Sequence, residues 1–357
     1  MASEIMIRKI TLPAVFLILG YGFWVSPDFK QIAAGVSILL FGMLALEDGF
    51  KAFTGGVLEK LLRRTTNKLW KSISFGVVST TVMQSSAVVS IITISFLSAG
   101  LISLTAGVGI IFGANLGTTT GAWLVAGLGL KINIASYAMP LLVFGIILVF
   151  QKTREMKGYG YILSGLGAQF LGIHYMKEGF EAFKNSFDLT AYAVSGYPGI
   201  LLFALIGVVA TVVMQSSHAT LVLIITALAA QQITYENALA LAIGANIGTT
   251  ITAIIGSLSA NVDGRRLAGA HLIFNLVTAA VAIGFIYQLT SAVDTISAWI
   301  GIASDNYTLK LAVFHSIFNT LGIVLMLPMI DTMVRFLERL IKPRVLTAAE
   351  PRYLNSA

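Results

Sequence analysis

The chain has 357 residues, 57% hydrophobic and only 11% charged, with mean hydropathy +0.87. A soluble domain carries about 25% charged residues, so a water-coated globule is excluded and the bilayer is the expected solvent. The absence of cysteine rules out disulfides and thiolate metal sites, and the net charge of +7 comes without a basic, aromatic-interleaved patch for nucleic acid.

In chain order, the first apolar run is 10–25. It follows Glu4 and lacks a small-x-small cleavage site, so it is expected as a retained first span within an N-terminal unit 1–31. Runs at 32–46, 106–129, 133–150, 159–176, 237–260, 267–290 and 310–330 predict seven more spans. The segments 73–100 and 200–230 differ. Each is too long for one span, its arms are expected to be too short to cross separately, and polar residues crowd its middle: Ser79, Thr80, Gln84, Ser85 and Ser86 in the first, Thr211, Gln215, Ser216 and Ser217 in the second. Both read as re-entrant helical hairpins with polar tips buried in protein. An amphipathic interfacial helix is expected over 48–71, with a copy near 178–198, and 331–357 reads as a cytoplasmic C-terminal tail.

Eight spans and two hairpins put both termini on one side. That side then holds 18 of the 23 Lys and Arg, leaving Lys30, Lys131, Lys177, Lys184 and Lys310 opposite. The bias marks it as cytoplasmic.

The hairpins are copies of each other. GVVSTTVMQSS begins at Gly76 and GVVATVVMQSS at Gly207; GANLGTT begins at Gly113 and GANIGTT at Gly244. The offset is the same for both motifs, with no gap. Three expected spans separate Gln84 from Gln215, so the copies have opposite orientation. The expectation is an all-α polytopic membrane protein of two inverted repeats, 32–150 and 159–330, a common secondary-transporter architecture with its site where the repeats meet.

The motif regions lack charge: no Asp or Glu lies between Glu59 and Glu155, and no Lys or Arg between Lys71 and Lys131 or between Lys184 and Arg265. Gln84, Ser85, Ser86, Asn115, Thr118 and Thr119, with Gln215, Ser216, Ser217, Asn246, Thr249 and Thr250, form an expected neutral polar centre. Hydroxyl and carbonyl oxygens suit sodium; hydroxyl and amide hydrogens and helix N-termini suit an anion. Without a neighbouring Lys or Arg, the anion needs a bound cation for compensation, which couples the two. Gly109, Gly113, Gly117 and Gly121 are read as a packing face, with backbone opening at Gly113-Ala114-Asn115 as the alternative. His271 with Asn275, and His315 with Asn319, read as interhelical hydrogen-bonding pairs. No metal cluster, cofactor or nucleophile elbow is apparent, which argues against an enzyme.

At Gln84-Ser85-Ser86 and Gln215-Ser216-Ser217, each followed by GAN-x-GTT, the sequence resembles the type II sodium–phosphate cotransporter family from about residue 32 to 330. The resemblance implies sodium-driven phosphate transport by alternating access. Phosphate would contact Gln84, Ser85, Ser86, Gln215, Ser216 and Ser217. Sodium would contact Ser85, Ser86, Ser216 and Ser217, with Asn115, Thr118, Thr119, Asn246, Thr249 and Thr250 completing the cation sites. Electrogenic animal members carry an Asp shortly after the first GAN-x-GT segment; Val125 to Leu130 contain none, which fits electroneutral coupling. Many bacterial members continue into a cytoplasmic helical domain, and Pro351 to Leu354 stand about where it would begin. A carrier of sulfate or a dicarboxylate, and a phosphate-binding membrane scaffold or sensor, are the alternatives at this stage. A channel fits less well, for want of a charged ring. Oligomeric state is left open, a dimer included.

Overall fold

A computed structural model describes residues 2–53, 66–129, 134–186 and 189–343. Fifteen α-helices occur among them: α1 Ala2–Val25, α2 Pro27–Lys51, α3 Leu69–Met83, α4 Ser86–Ser98, α5 Leu104–Gly117, α6 Thr119–Leu124, α7 Ile134–Val149, α8 Arg154–Ser186, α9 Gly196–Met214, α10 Ser217–Ala229, α11 Tyr235–Ser257, α12 Val262–Gly284, α13 Ile286–Trp299, α14 Tyr307–Met326 and α15 Ile330–Leu340. No β-strand occurs among the described residues. Most of the interfacial helix expected over 48–71 lies outside them, as does the tail beyond 343.

Among the described residues, six helical segments are long and apolar enough to cross a membrane: α2, α5 continuing to Gly127, α9, α11, α12, and α14 continuing to Leu340. The runs at 10–25 and 133–150 are helical, but their apolar parts, Pro13–Val25 and Ser136–Val149, are shorter. The expected span 159–176 lies in α8, whose 33 residues are not among the six because glycines and polar side chains dilute its hydropathy. One of the four hairpin arms also differs from expectation. At 19 residues, α9 reaches about 28 Å at 1.5 Å per residue, nearly a bilayer core, so it is not too short to cross.

Two amphipathic helices escape a search for uncharged runs. The run 267–290 breaks at Phe285, and α13 turns Ile286, Val293 and Ser297 inward. Lys310, buried at the start of α14, pairs with Asp294 of α13 at 2.8 Å. In α15, Ile330, Met333 and Leu337 are buried, an i, i+3, i+7 stripe that leaves Arg335, Glu338 and Arg339 outside.

Both polar segments are broken helices. Gln84 (φ 51°) ends α3 and Gln215 (φ 53°) ends α9, each in the left-handed region. Such a conformation costs a non-glycine residue about 1–3 kcal/mol. Each glutamine turns its amide back onto a carbonyl freed by the break: Gln84 Nε2 donates to Thr81 O and Gln215 Nε2 to Val212 O, both at 2.5 Å. Ser85 and Ser216 then cap the next helices, accepting from Val88 N (3.3 Å) and Ala219 N (3.1 Å). The same sequence offset relates Gly100 to Gln231, both at positive φ, and the capping residues Ser103 and Thr234.

Packing repeats at that offset too. A Cβ on Gly76 would strike Ile110 O, and one on Gly207 would strike Leu241 O; Gly113 abuts Ile73 O as Gly244 abuts Ala204 O. Gly117 and Gly248 lie 2.7 and 2.6 Å from Thr80 Cβ and Thr211 Cβ by the same measure. Gly109, Gly113 and Gly117 therefore pack α5 on α3, whereas Gly121 faces His218 and Gln84. The backbone does not open at Gly113-Ala114-Asn115, where α5 is continuous; the irregularity comes later, at Thr118 and in a π-helical turn over Val125–Gly129.

A third glycine seam joins α2 to α8. Gly35, Gly42 and Gly49 lie against Gly172, Gly165 and Gly158, seven residues apart on each helix. A Cβ on Gly42 would sit 2.7 Å from both Gln169 N and Gly165 O. Neither backbone atom can rotate away, so Gly42→Ala costs about 1–3 kcal/mol by overpacking. It lowers the thermal unfolding midpoint in detergent, while Gly20→Ala, with no atom within 4 Å, leaves it unchanged or raised.

Candidate functional site

The two hairpin tips meet in one cavity of about 310 Å³. Gln84, Ser85 and Ser86 line it from the first, and Gln215, Ser216 and Ser217 from the second. Residues 131 positions apart thus share a surface, with the breaks at Gln84 and Gln215 facing one space. α2 supplies Leu40, Met43 and Glu47, α8 supplies Gln169, α10 supplies His218, and α11 supplies Thr249 and Thr252.

The breaks determine the chemistry available. The 13-residue helices α4 and α10 start at the cavity, bringing two sets of unsatisfied N–H groups and two positive dipole ends to one space. The ends of α3 and α9 bring carbonyls. Ser85 and Ser216 accept backbone hydrogens through their oxygens; the Ser85 O–H can donate to an anion, and so can that of Ser216 once it leaves Met43 Sδ, a weak acceptor at 3.9 Å. Thr249 donates to Ala245 O at 3.0 Å, which leaves its oxygen lone pairs for a cation. One space therefore offers both donors and acceptors.

The remaining expected cation ligands do not line this cavity. Asn115 Nδ2 donates to Ile111 O (3.0 Å), Thr118 to Asn115 O (2.6 Å), Thr119 to Leu116 O (2.8 Å) and Thr250 to Ile247 O (2.8 Å). Asn246 is tied elsewhere: its Nδ2 donates to Asn319 Oδ1 at 2.9 Å, and its Oδ1 lies 3.1 Å from His315 Nε2. Since Oδ1 can only accept, that ring nitrogen carries the hydrogen. His315 and Asn319 thus form the expected interhelical link. His271 does not: both its ring nitrogens are buried without a hydrogen-bond partner, and Asn275 Nδ2 donates to the carbonyl of His271 itself.

The expectation of a wholly neutral centre needs correction at Glu47. This carboxylate lies just past the uncharged run 32–46, and the packing of α2 beside the tips brings it to the cavity wall. Gln169 was also missed. Its signal was visible as a lone amide inside the uncharged run 159–176, a costly placement in lipid. Among the described residues no group of three His, Asp or Glu side chains is placed to hold a metal ion.

Comparison with known proteins places this geometry. A family model described as Na+/Pi-cotransporter matches residues 38–178 and 200–329. YjbB of Salmonella typhimurium, named for inorganic phosphate export, is 27% identical over 329 residues, covering 91% of this chain and 58% of that protein. YjbB of Escherichia coli K12 is 28% identical with the same coverage. YqeW of Bacillus subtilis, an uncharacterized protein, is 26% identical over 314 residues, covering 87% of this chain and 97% of its own. The chain thus spans less than two thirds of the length of the YjbB proteins it matches. No solved structure matches it. The two matched blocks cover most of the chain and hold one hairpin tip each, and on that ground the chain belongs to the Na+/Pi-cotransporter family, a family of transporters.

Proposed function

We propose that the chain carries inorganic phosphate with sodium across a bacterial inner membrane, by alternating access between two inverted repeats. The observation that carries this reading is the single cavity shared by both Gln-Ser-Ser tips, where two helix N-termini meet. Gln84, Ser85, Ser86, Gln215, Ser216 and Ser217 are the phosphate contacts. The cation contacts begin with Ser85, Ser86, Ser216, Ser217 and Thr249; Asn115, Thr118, Thr119, Asn246 and Thr250, which do not line the cavity, complete the cation sites. Among the described residues no Lys or Arg lines the cavity, so sodium supplies the positive charge that a phosphate needs in a low-dielectric space. Each ion then raises the affinity for the other, a reciprocal coupling typically five- to 150-fold, or about 1–3 kcal/mol. The family description and the export named for the YjbB proteins support phosphate as cargo. Net direction follows the gradients, since a coupled carrier runs either way.

The test is labelled phosphate uptake into proteoliposomes holding the purified chain, under inward sodium, potassium or proton gradients. Uptake is expected with sodium alone. Equal uptake in potassium rejects the coupling, and movement of a dicarboxylate in place of phosphate rejects the cargo.

A further inference from the structure

Glu47 is an anomaly in an anion site. It lines the cavity, its carboxylate is held by Lys51 at 2.8 Å through Oε1, and its side chain is only 19% exposed. An ionised carboxylate facing a fully deprotonated anion is repelled, and the more strongly the less water lies between. An anion that still carries an acidic hydrogen reverses the sign, because its O–H donates to the carboxylate in a charge-assisted bond.

A second, independent observation lies on α8. Gln169 is 7% exposed, lines the same cavity, and its Nε2 is fully shielded without a hydrogen-bond partner. Buried polar groups are almost always paired; turning the side-chain amide over brings this N–H to the cavity that the residue lines, where a ligand oxygen would accept it. The two motif glutamines turn their amides back onto Thr81 and Val212, whereas Gln169 has no such use. Donor and acceptor thus stand on the α2–α8 side of the cavity, beside the hairpin tips.

We propose that Glu47 and Gln169 select an oxyanion that retains an acidic proton: Gln169 donates to a bare oxygen and Glu47 accepts from the ligand's hydroxyl. This rests on reading the cavity as the oxyanion site. Hydrogen phosphate and hydrogen arsenate meet the requirement at neutral pH. Sulfate and selenate have no hydrogen to give and place lone pairs against the carboxylate. Glu47 then acts as a specificity determinant beside the Gln-Ser-Ser tips.

The experiment is competition against sodium-driven labelled phosphate uptake in proteoliposomes of the full chain. In the wild type, arsenate competes within about tenfold of phosphate, while sulfate and selenate are weaker on the order of 10⁴-fold, as for a site built to hydrogen-bond a ligand hydroxyl. Glu47→Gln, whose amide can donate to sulfate, narrows that gap to less than about tenfold. Gln169→Leu raises the half-saturating phosphate concentration about tenfold without changing the ratio. Sodium-dependent phosphate uptake that sulfate inhibits as well as arsenate does overturns this inference alone. So does a Glu47→Gln protein that transports with unchanged discrimination, or one in which only sodium activation shifts. Should Glu47→Gln fail to fold, the wild-type competition series still decides. A wild type that moves sulfate and no phosphate overturns both this inference and the reading beneath it.

Discussion

Gln84→Ala and Gln215→Ala are each expected to lower sodium-driven phosphate uptake by about ten- to a hundredfold, the weight of one hydrogen bond to a charged ligand. Two roles converge on these glutamines. Each sits at positive φ, where an L-residue is strained, and each returns its amide to the carbonyl three residues earlier. Alanine keeps the strain and removes the tie, so the following helix N-terminus loses its fixed aim at the cavity. Gln84→Gly separates the roles. Glycine adopts the left-handed conformation without strain, so the break persists and the unfolding midpoint stays near that of the wild type, while the amide is gone. Uptake by Gln84→Gly that remains at the alanine level assigns the loss to the side chain. Wild-type uptake by the glycine variant would reduce Gln84 to a backbone element and remove it from the phosphate contacts.

Asn246→Leu is expected to be the most destabilising single change among the motif polar residues, by about 2–4 kcal/mol. The substitution leaves His315 Nε2 and Asn319 Oδ1 without the partners they have at 3.1 and 2.9 Å. Both residues are buried, at 3% and 0% exposure, so water cannot take over. Asn115→Leu, at the corresponding position of the first copy, is expected to cost less. Its Nδ2 bonds only the carbonyl of Ile111 on its own helix, which already accepts a helical hydrogen bond. Unfolding midpoints of the two variants in one detergent compare them directly. Equal losses would show that the Asn246 network contributes no more than a local side-chain bond. A double change, Asn246→Leu with Asn319→Leu, should cost less than the two singles added, because the second removes a group that the first had orphaned.

Much of the site was legible in order of sequence. Two Gln-Ser-Ser clusters inside apolar segments are too costly in lipid to be accidental, and a helix of thirty residues does not fit a bilayer, so the breaks were readable before any coordinates. The glycines of GAN-x-GTT were readable as packing positions for the same reason, since small residues are what let helix backbones touch. Apolar runs likewise located the long helices. They failed at α13 and α15, whose stripes of buried residues alternate with exposed polar ones and so average to an unremarkable hydropathy.

What the sequence determined by itself was therefore the bilayer as solvent, the helical class, the two duplicated breaks and the polar atoms at their tips. These follow from local chemistry: hydropathy, helix length and the cost of burying hydrogen-bonding groups. Only the tertiary structure decided which polar residues share a space. It brought Thr249 to the cavity and left Thr250 on its own helix, and it tied Asn246 to His315 and Asn319. It also set Glu47 and Gln169 beside the tips, because glycine seams let α2 and α8 approach to backbone contact. Such placements depend on helix rotation and on contacts between residues more than a hundred positions apart, and no local property of the sequence encodes them.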